Sequence, residues 1–341
     1  MSKIGVLGAG TWGMALARML SNNAHQVCVW SAIGREIDEF SATRRHPNLP
    51  GMVIPGQICF TKDMEEVCRD KDVLLFAVPS PFVRATARQA APYVKEGQII
   101  VDVAKGIEAD TLCTMTQIIG QELKDTPVKL VALSGPTHAE EVAKDLPTTI
   151  VAACEDETAA LKVQSIFSGS CMRVYTNTDT LGVELCGAMK NIIALACGAA
   201  VGSGYGDNAK AALITRGMTE ISRLGMAMGC REQTFGGLAG IGDLIVTATS
   251  VHSRNNRCGM LLGKGVDPKE AVKHVCMVVE GINALPAAMR LAERYGVEMP
   301  IVESVNEVVN RGASVQEVVE KLMGRDQKAE LPPQALDNRY E

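Results

Sequence analysis

The stretch KIGVLGAGTWG at residues 3–13 constrains the fold of this chain more than any other. A short β-branched run leads into Gly8-Ala9-Gly10-Thr11-Trp12-Gly13, a G-x-G-x-x-G pattern, and an amphipathic helical segment follows at once. In that context each glycine has a physical task. Gly8 permits a tight turn, Gly10 lets backbone come close to a pyrophosphate, and Gly13 lets helix and strand pack closely. The helix N-terminus then faces the phosphates with unpaired N–H groups. The pattern predicts a strand–turn–helix unit that binds a dinucleotide.

The next 170 residues continue the same alternation. KIGVLGAG, QVCVWS, DVLLFAVPS, QIIVDVAKG, VKLVALSGP and TTIVAACE read as strands, with helical segments such as 11–23, 80–94 and 111–123 between them. Near-continuous apolar strands alternating with helices predict a parallel sheet covered on both faces. After about residue 180 strand signals stop. Segments 181–202, 207–229, 268–279, 283–295, 301–311 and 314–323 carry helical spacing, with Asp207 and Asp267-Pro268 as start signals and Gly296 and Gly312 as stops. The expected fold class is α/β: a Rossmann-type dinucleotide-binding domain over 1–180, then an all-helical domain over 181–325. The polar segment 326–341 is expected to be a mobile tail.

Composition removes several function classes. The 341 residues exceed the size at which one core stops growing, which supports two domains. A net charge of -5 and an aromatic content of 4% argue against nucleic acid as a partner. The 11 cysteines are dispersed, without a C-x-x-C pair or metal-ligand spacing. They predict a reducing, cytoplasmic setting and no metal site. Uninterrupted apolar runs fall short of the ~18 residues of a membrane span, so no stable membrane insertion is expected. The apolar start of the chain is broken by glycine turns and Arg18, which speaks against a signal peptide.

Cofactor choice is read at the end of the second strand. Sites selective for NAD place a carboxylate there, about 20 residues after the glycines. Here the strand ends in Trp30-Ser31-Ala32, and Arg35 follows, so NADP(H) is expected to be accepted.

Three further clusters fall where ligands bind, at strand ends or between helices. Lys105 follows the strand QIIVDVA. Ser134-Gly135-Pro136-Thr137-His138 follows LVAL, with His138 read as a surface or capping residue. The segment 242–255 carries Asp243 and the compact set Ser253-Arg254-Asn255, whose guanidinium and neutral donors suit phosphate oxygens. Against these stands VELCGAMKNIIALACG at 183–198, a helix apolar on nearly every side with Lys190 and Asn191 at its centre. An unpaired buried ammonium is costly, and Glu184 lies six positions away on another face. A partner must come from elsewhere in the fold, and Asp243 is the candidate by character. A lysine so placed has its pKa lowered, as suits proton donation to a carbonyl oxygen.

Taken in order, GAGTWG, AKGIE, LSGPTHAEEVA, GAMKNIIALACG, GDLIVTATSVHSRN and VVEG resemble the NAD(P)-dependent glycerol-3-phosphate dehydrogenases of the bacterial type, through about residue 325. The resemblance implies reversible reduction of dihydroxyacetone phosphate to sn-glycerol 3-phosphate with NADPH/NADP or NADH/NAD, supplying the glycerophospholipid backbone. It implies Lys190 as catalytic acid/base, with Asn191, Asp243, Thr247 and Lys105 around it. Gly8, Gly10, Thr11, Trp12, Gly13, Arg35, Lys105, Ala139, Arg254, Val278 and Glu280 would contact the cofactor. Lys105, Gly135, Thr137, Lys190, Asp243, Ser253, Arg254 and Asn255 would hold the substrate, with Arg254 and Asn255 as phosphate anchor. The family often has Ser-Phe where Thr137-His138 stands. A homodimer is expected by analogy of architecture. The rivals are a 6-phosphogluconate or 3-hydroxyacyl-CoA type of dehydrogenase, and a nicotinamide-sensing protein that has lost catalysis.

Overall fold

The computed structural model describes residues 1–327, 329 and 330, so most of the expected tail lies outside the described residues. Among these, eight strands form one sheet: β1 (Lys3–Leu7), β2 (Gln26–Trp30), β3 (Cys59–Thr61), β4 (Val73–Phe76), β5 (Ile99–Asp102), β6 (Lys129–Ser134), β7 (Thr148–Ala153) and β8 (Met172–Asn177). Their spatial order is β3-β2-β1-β4-β5-β6-β7-β8. The helices threaded between them are α1 (Thr11–Asn22), α2 (Gly34–Thr43), α3 (Met64–Cys68), α4 (Val83–Ala90), α5 (Met115–Glu122), α6 (Ala139–Val142) and α7 (Glu157–Phe167).

The sheet is mostly parallel, as its apolar strands predict, but β7 runs antiparallel to β6. The connection carries only the four-residue α6, too short to return the chain along the sheet. β3 and β8 escape the apolar-run criterion because they are the two edges: their exposed positions break the pattern. Two apolar clusters cover the faces, one around Met14, Leu16 and Val163, the other around Val67, Val83 and Ile118.

From Thr180 onward the described chain is helical: α8 (Thr180–Gly202), α9 (Asp207–Ala227), α10 (Glu232–Phe235), α11 (Asp243–Thr249), α12 (Arg254–Gly263), α13 (Pro268–Val275), α14 (Glu280–Tyr295), α15 (Pro300–Arg311) and α16 (Val315–Met323). Asp267 caps α13 through the Lys269 and Glu270 amides with Pro268 behind it, and Gly296 and Gly312 end α14 and α15 in left-handed conformations. Asp207 is not a cap. It is the first residue of α9, behind Gly206, and pairs with Lys210. The segment 111–123 becomes helical only from Met115, where Thr114 and Gln117 close a capping box. α10, α11 and α12 fall outside the expected helical segments: the first two have four and seven residues, and α12 turns Asn255, Asn256 and Gly259 to the core, where apolar residues mark a helix in sequence.

α8 is the axis of the second half, with every residue from Gly182 to Ala200 buried. It is long and apolar enough to cross a membrane, yet 83% of its most apolar window is covered by the rest of the protein. α12 lies against it backbone to backbone. A Cβ on Gly198 would sit 2.1 Å from the Asn256 carbonyl, and one on Gly259 would sit 2.1 Å from that of Leu195. Gly202 and Gly263 repeat the contact one turn further along. This approach fixes the start of α12 relative to Lys190. Gly259→Ala must therefore separate the helices, costing about 1–3 kcal/mol and lowering the urea midpoint. Gly56→Ala, where a Cβ meets open space, should leave the midpoint unchanged.

Candidate active site

The glycine turn behaves as its chemistry requires. Gly8 has φ +124°, and a Cβ there would fall 2.7 Å from the Ala77 backbone. A Cβ on Gly13 would lie 2.2 Å from the Gly8 carbonyl, whereas one on Gly10 would meet nothing within 4 Å. α1 begins with no side-chain cap and no acidic residue in its first turn, leaving its amides to an anion. The Thr11 hydroxyl is buried and finds no hydrogen-bond partner among the described residues. Open space above Gly10, free amides and an orphaned hydroxyl together fit a dinucleotide pyrophosphate. Trp12 and Val278 are half-buried, and Ala139 opens α6 in the core of the sheet's first face.

At the end of β2, Arg35 is exposed at the start of α2, and the Ser31 hydroxyl donates to Glu36 Oε2 at 2.7 Å. The strand end itself carries no carboxylate, and the nearest one, Glu36, stands in the first turn of the following helix. Sequence reasoning confined to the strand end passed over it.

The centre of the second site is Asp243, fully buried, with a lysine on each oxygen. Lys190 Nζ lies 2.5 Å from Oδ1 and Lys105 Nζ 2.6 Å from Oδ2. Lys190 also donates to Thr247 Oγ1 at 2.6 Å, and that hydroxyl donates to the Asp243 carbonyl at 2.7 Å. Lys105 further reaches the Gly135 carbonyl at 3.2 Å, as does the Thr137 hydroxyl. Three separate elements meet here: the loop after β5, the middle of α8 and the start of α11.

Local sequence explains the aim of each group. Leu238–Gly242 forms a π-type turn in which a Cβ on Gly240 would lie 2.1 Å from the Phe235 carbonyl, so the chain folds back tightly before Asp243. Asp243 begins α11 rather than capping it, where the helix dipole favours its charge. A Cβ on Gly187 would press on Ser134 Oγ at 3.2 Å and touch Lys105 Cγ at 3.4 Å. Glu184 faces away, accepting from Thr114 Oγ1 and from the Thr116 amide and hydroxyl.

Burial dominates the titration of Lys190 and lowers it to about 7, with the Asp243 charge opposing and the Lys105 charge assisting. The group is therefore poised to give or take a proton near neutrality. Asp102, below at the end of β5, is held well above the ordinary carboxylate range by burial and by the Glu184 charge.

Asn191 and Asn255 form a positioning chain. Asn191 Nδ2 donates to the Gly187 carbonyl at 3.2 Å and its Oδ1 accepts from Asn255 Nδ2 at 2.9 Å. Asn255 Oδ1 accepts from the Gly281 amide at 2.8 Å. Asn255, expected to hold substrate phosphate, thus ties α12 to α8 and α14. Ser253 caps α12 by accepting from the Asn256 amide at 3.2 Å. Arg254 is half-exposed beside it and makes no ion pair among the described residues. Glu280, expected at the cofactor, accepts from the Ser80 amide at 3.2 Å and hydroxyl at 2.6 Å, joining α14 to the turn after β4. Nothing in the sequence marks Ser80, since one serine beside prolines reads as turn chemistry.

His138 is not the surface or capping residue expected. It occupies the N-cap position of α6, but its side chain does not cap. Its ring packs 5.9 Å from that of His252, and its Nε2 is buried with no partner among the described residues. Burial and the Lys190 charge lower its pKa.

Asp243→Asn would leave Lys105 and Lys190 crowded in a buried site without their counter-charge. Breaking a buried pair costs about 3–5 kcal/mol, so this variant should lose far more stability in urea unfolding than Thr247→Val.

The comparisons with known proteins place the chain in one family. Residues 3–160 match the family model described as NAD-dependent glycerol-3-phosphate dehydrogenase N-terminus, and residues 179–320 match the corresponding C-terminus. The chain is 65% identical over 335 residues to glycerol-3-phosphate dehydrogenase [NAD(P)+] 2 of Lactobacillus delbrueckii subsp. bulgaricus, covering 97% of this chain and 99% of that one. It is 46% identical over 343 residues to the enzyme of the same name, without the numeral, from Bacillus subtilis, covering 100% and 99%. The crystal structure of glycerol-3-phosphate dehydrogenase from Coxiella burnetii superposes with a TM-score of 0.91 at 35% identity, covering 95% and 99%. The chain belongs to the NAD-dependent glycerol-3-phosphate dehydrogenase family.

Proposed function

We propose that this chain is an NAD(P)-dependent glycerol-3-phosphate dehydrogenase, reversibly reducing dihydroxyacetone phosphate to sn-glycerol 3-phosphate for the glycerophospholipid backbone. The observation that carries the reading is the buried Lys190–Asp243–Lys105 cluster at the carboxyl ends of β5 and β6. When bound, the nicotinamide supplies or accepts the hydride at substrate C2. Lys190 hydrogen-bonds the oxygen on that carbon and donates its proton as negative charge develops there. Asp243 keeps the ammonium in place and partly charged, and Thr247 fixes its direction. Lys105 adds positive potential and, with Gly135 and Thr137, borders the substrate. Ser253, Arg254 and the remaining N–H of Asn255 face the phosphate, whose anchoring holds C2 in reach.

The division at residue 180 belongs to the same proposal: 1–180 binds the dinucleotide and 181–325 contributes the acid/base and phosphate groups. Gly8, Gly10, Thr11, Trp12 and Gly13 receive the pyrophosphate, and Ala139, Val278 and Glu280 border the cofactor. Glu36 at the β2 end suits a free ribose 2′-hydroxyl, while exposed Arg35 suits a 2′-phosphate; the pair supports use of both cofactors. A cytoplasmic location is supported by the eleven cysteines, all present as free thiols. The homodimer and the absence of membrane insertion rest on architecture alone.

Lys190→Ala should lower kcat by about 10²–10⁴-fold in an NAD(P)H oxidation assay with dihydroxyacetone phosphate, measured on protein shown to be folded by circular dichroism. Reduction needs protonated Lys190. Its kcat/KM should be level below pH 7 and fall as pH rises through about 7, while glycerol 3-phosphate oxidation should rise over the same range. Arg254→Ala should raise the substrate KM about tenfold to a hundredfold with a smaller effect on kcat; an unchanged KM would remove it as anchor.

A further inference from the structure

On the outer strands β2 and β3 a second set of side chains gathers. Cys28 on β2 and Cys59 on β3 are direct register partners in a parallel pair, so both thiols project from one face of the sheet. Glu66, on α3, packs over the same face. Cys28 Sγ, Cys59 Sγ and a Glu66 oxygen all lie within 4.8 Å of one another. Linear spacing hides the set: the members lie on three elements, 31 and 7 positions apart in sequence.

We propose that Cys28, Cys59 and Glu66 form a binding site for one thiophilic divalent cation of the zinc class, with water as fourth ligand. Four observations support it. First, Zn–S and Zn–O bonds of usual length in a tetrahedron place sulfur and oxygen about 3.6 Å apart, and Cys59 Sγ already stands 3.9 Å from Glu66 Oε1. Second, the carboxylate is pre-oriented, because the buried Thr61 hydroxyl donates to Oε2 at 2.5 Å and leaves Oε1 toward the thiols. A hydrogen-bonded outer partner of this kind is a regular part of metal sites. Third, Thr61 Oγ1 also accepts from the Asp63 amide at 3.0 Å, and Asp63 caps α3, so the frame is rigid. Fourth, two sulfurs select zinc-like ions over calcium or magnesium, which prefer all-oxygen sets.

Binding displaces both thiol protons to solvent, giving two thiolates and one carboxylate around the 2+ ion. The bound ion would tie the edge strand β3 and α3 to β2, without touching Lys190, Asp243 or Lys105.

The test is a Co²⁺ titration of the full-length chain in a phosphine reductant, following the thiolate-to-cobalt charge-transfer absorbance. The expected result is saturation at one equivalent, displacement by Zn²⁺ and loss of the band in Cys59→Ser. Thr61→Val should weaken binding about 10–100-fold. Both Cys59 and Glu66 are exposed, so Cys59→Ser and Glu66→Gln should keep the fold by circular dichroism and keep turnover unchanged. Absence of the band, or its persistence in Cys59→Ser, would overturn the site. So would quantitative formation of a Cys28–Cys59 disulfide with no metal uptake by the reduced protein.

Discussion

A single buried carboxylate organises this protein. Asp243 has no exposed surface, and each of its oxygens meets a different lysine, one from the loop after β5 and one from α8. Any of the three charges alone would be expensive at that depth. Together they join the sheet half to the helical half through two charge-assisted bonds. Under the proposed function the same arrangement serves the chemistry. Two cations share one anion, so the cluster keeps a positive excess that suits an anionic substrate and a developing negative oxygen.

Holding three charges to within hydrogen-bond distance demands a rigid frame, and the frame is made of close backbone approaches. Gly198 and Gly259 let α8 and α12 touch main chain to main chain. A Cβ on Gly281 would lie 2.6 Å from the Asn191 carbonyl, so α14 also starts directly against α8. The Asn191–Asn255–Gly281 hydrogen-bond chain then fixes the rotation of these helices. Arg254, the residue after the Ser253 cap, inherits its position from that frame.

Much of this was legible in the sequence where chemistry and pattern coincide. The glycine turn, six of the strands, the long apolar helix and the oddity of Lys190 within it all follow from residue types and spacing. The need for an outside partner followed from the absence of a carboxylate one turn away from Lys190. Edge strands β3 and β8 were not legible, because half of an edge strand faces water and its apolar run is broken. The reversal at β7 was not legible either, since it depends on how far α6 carries the chain. Ser80 and the Cys28–Cys59–Glu66 set share a cause. Each acts through a partner on another element, and linear spacing carries no record of such pairs. Asn255 adds a second task that its neighbours in sequence do not show: its amide also bonds Asn191 and Gly281 on two other helices.

The account rests on Lys190 being an acid near neutrality. The direct measurement is an NMR titration of the ε-methylene resonances in protein labelled with ¹³C-lysine, with Lys190 assigned by its loss in Lys190→Met. One resonance should titrate with a midpoint near 7, well below the ordinary lysine value of 10.5. A Lys190 resonance that titrates only with the bulk of the lysines, above pH 10, would contradict the central claim.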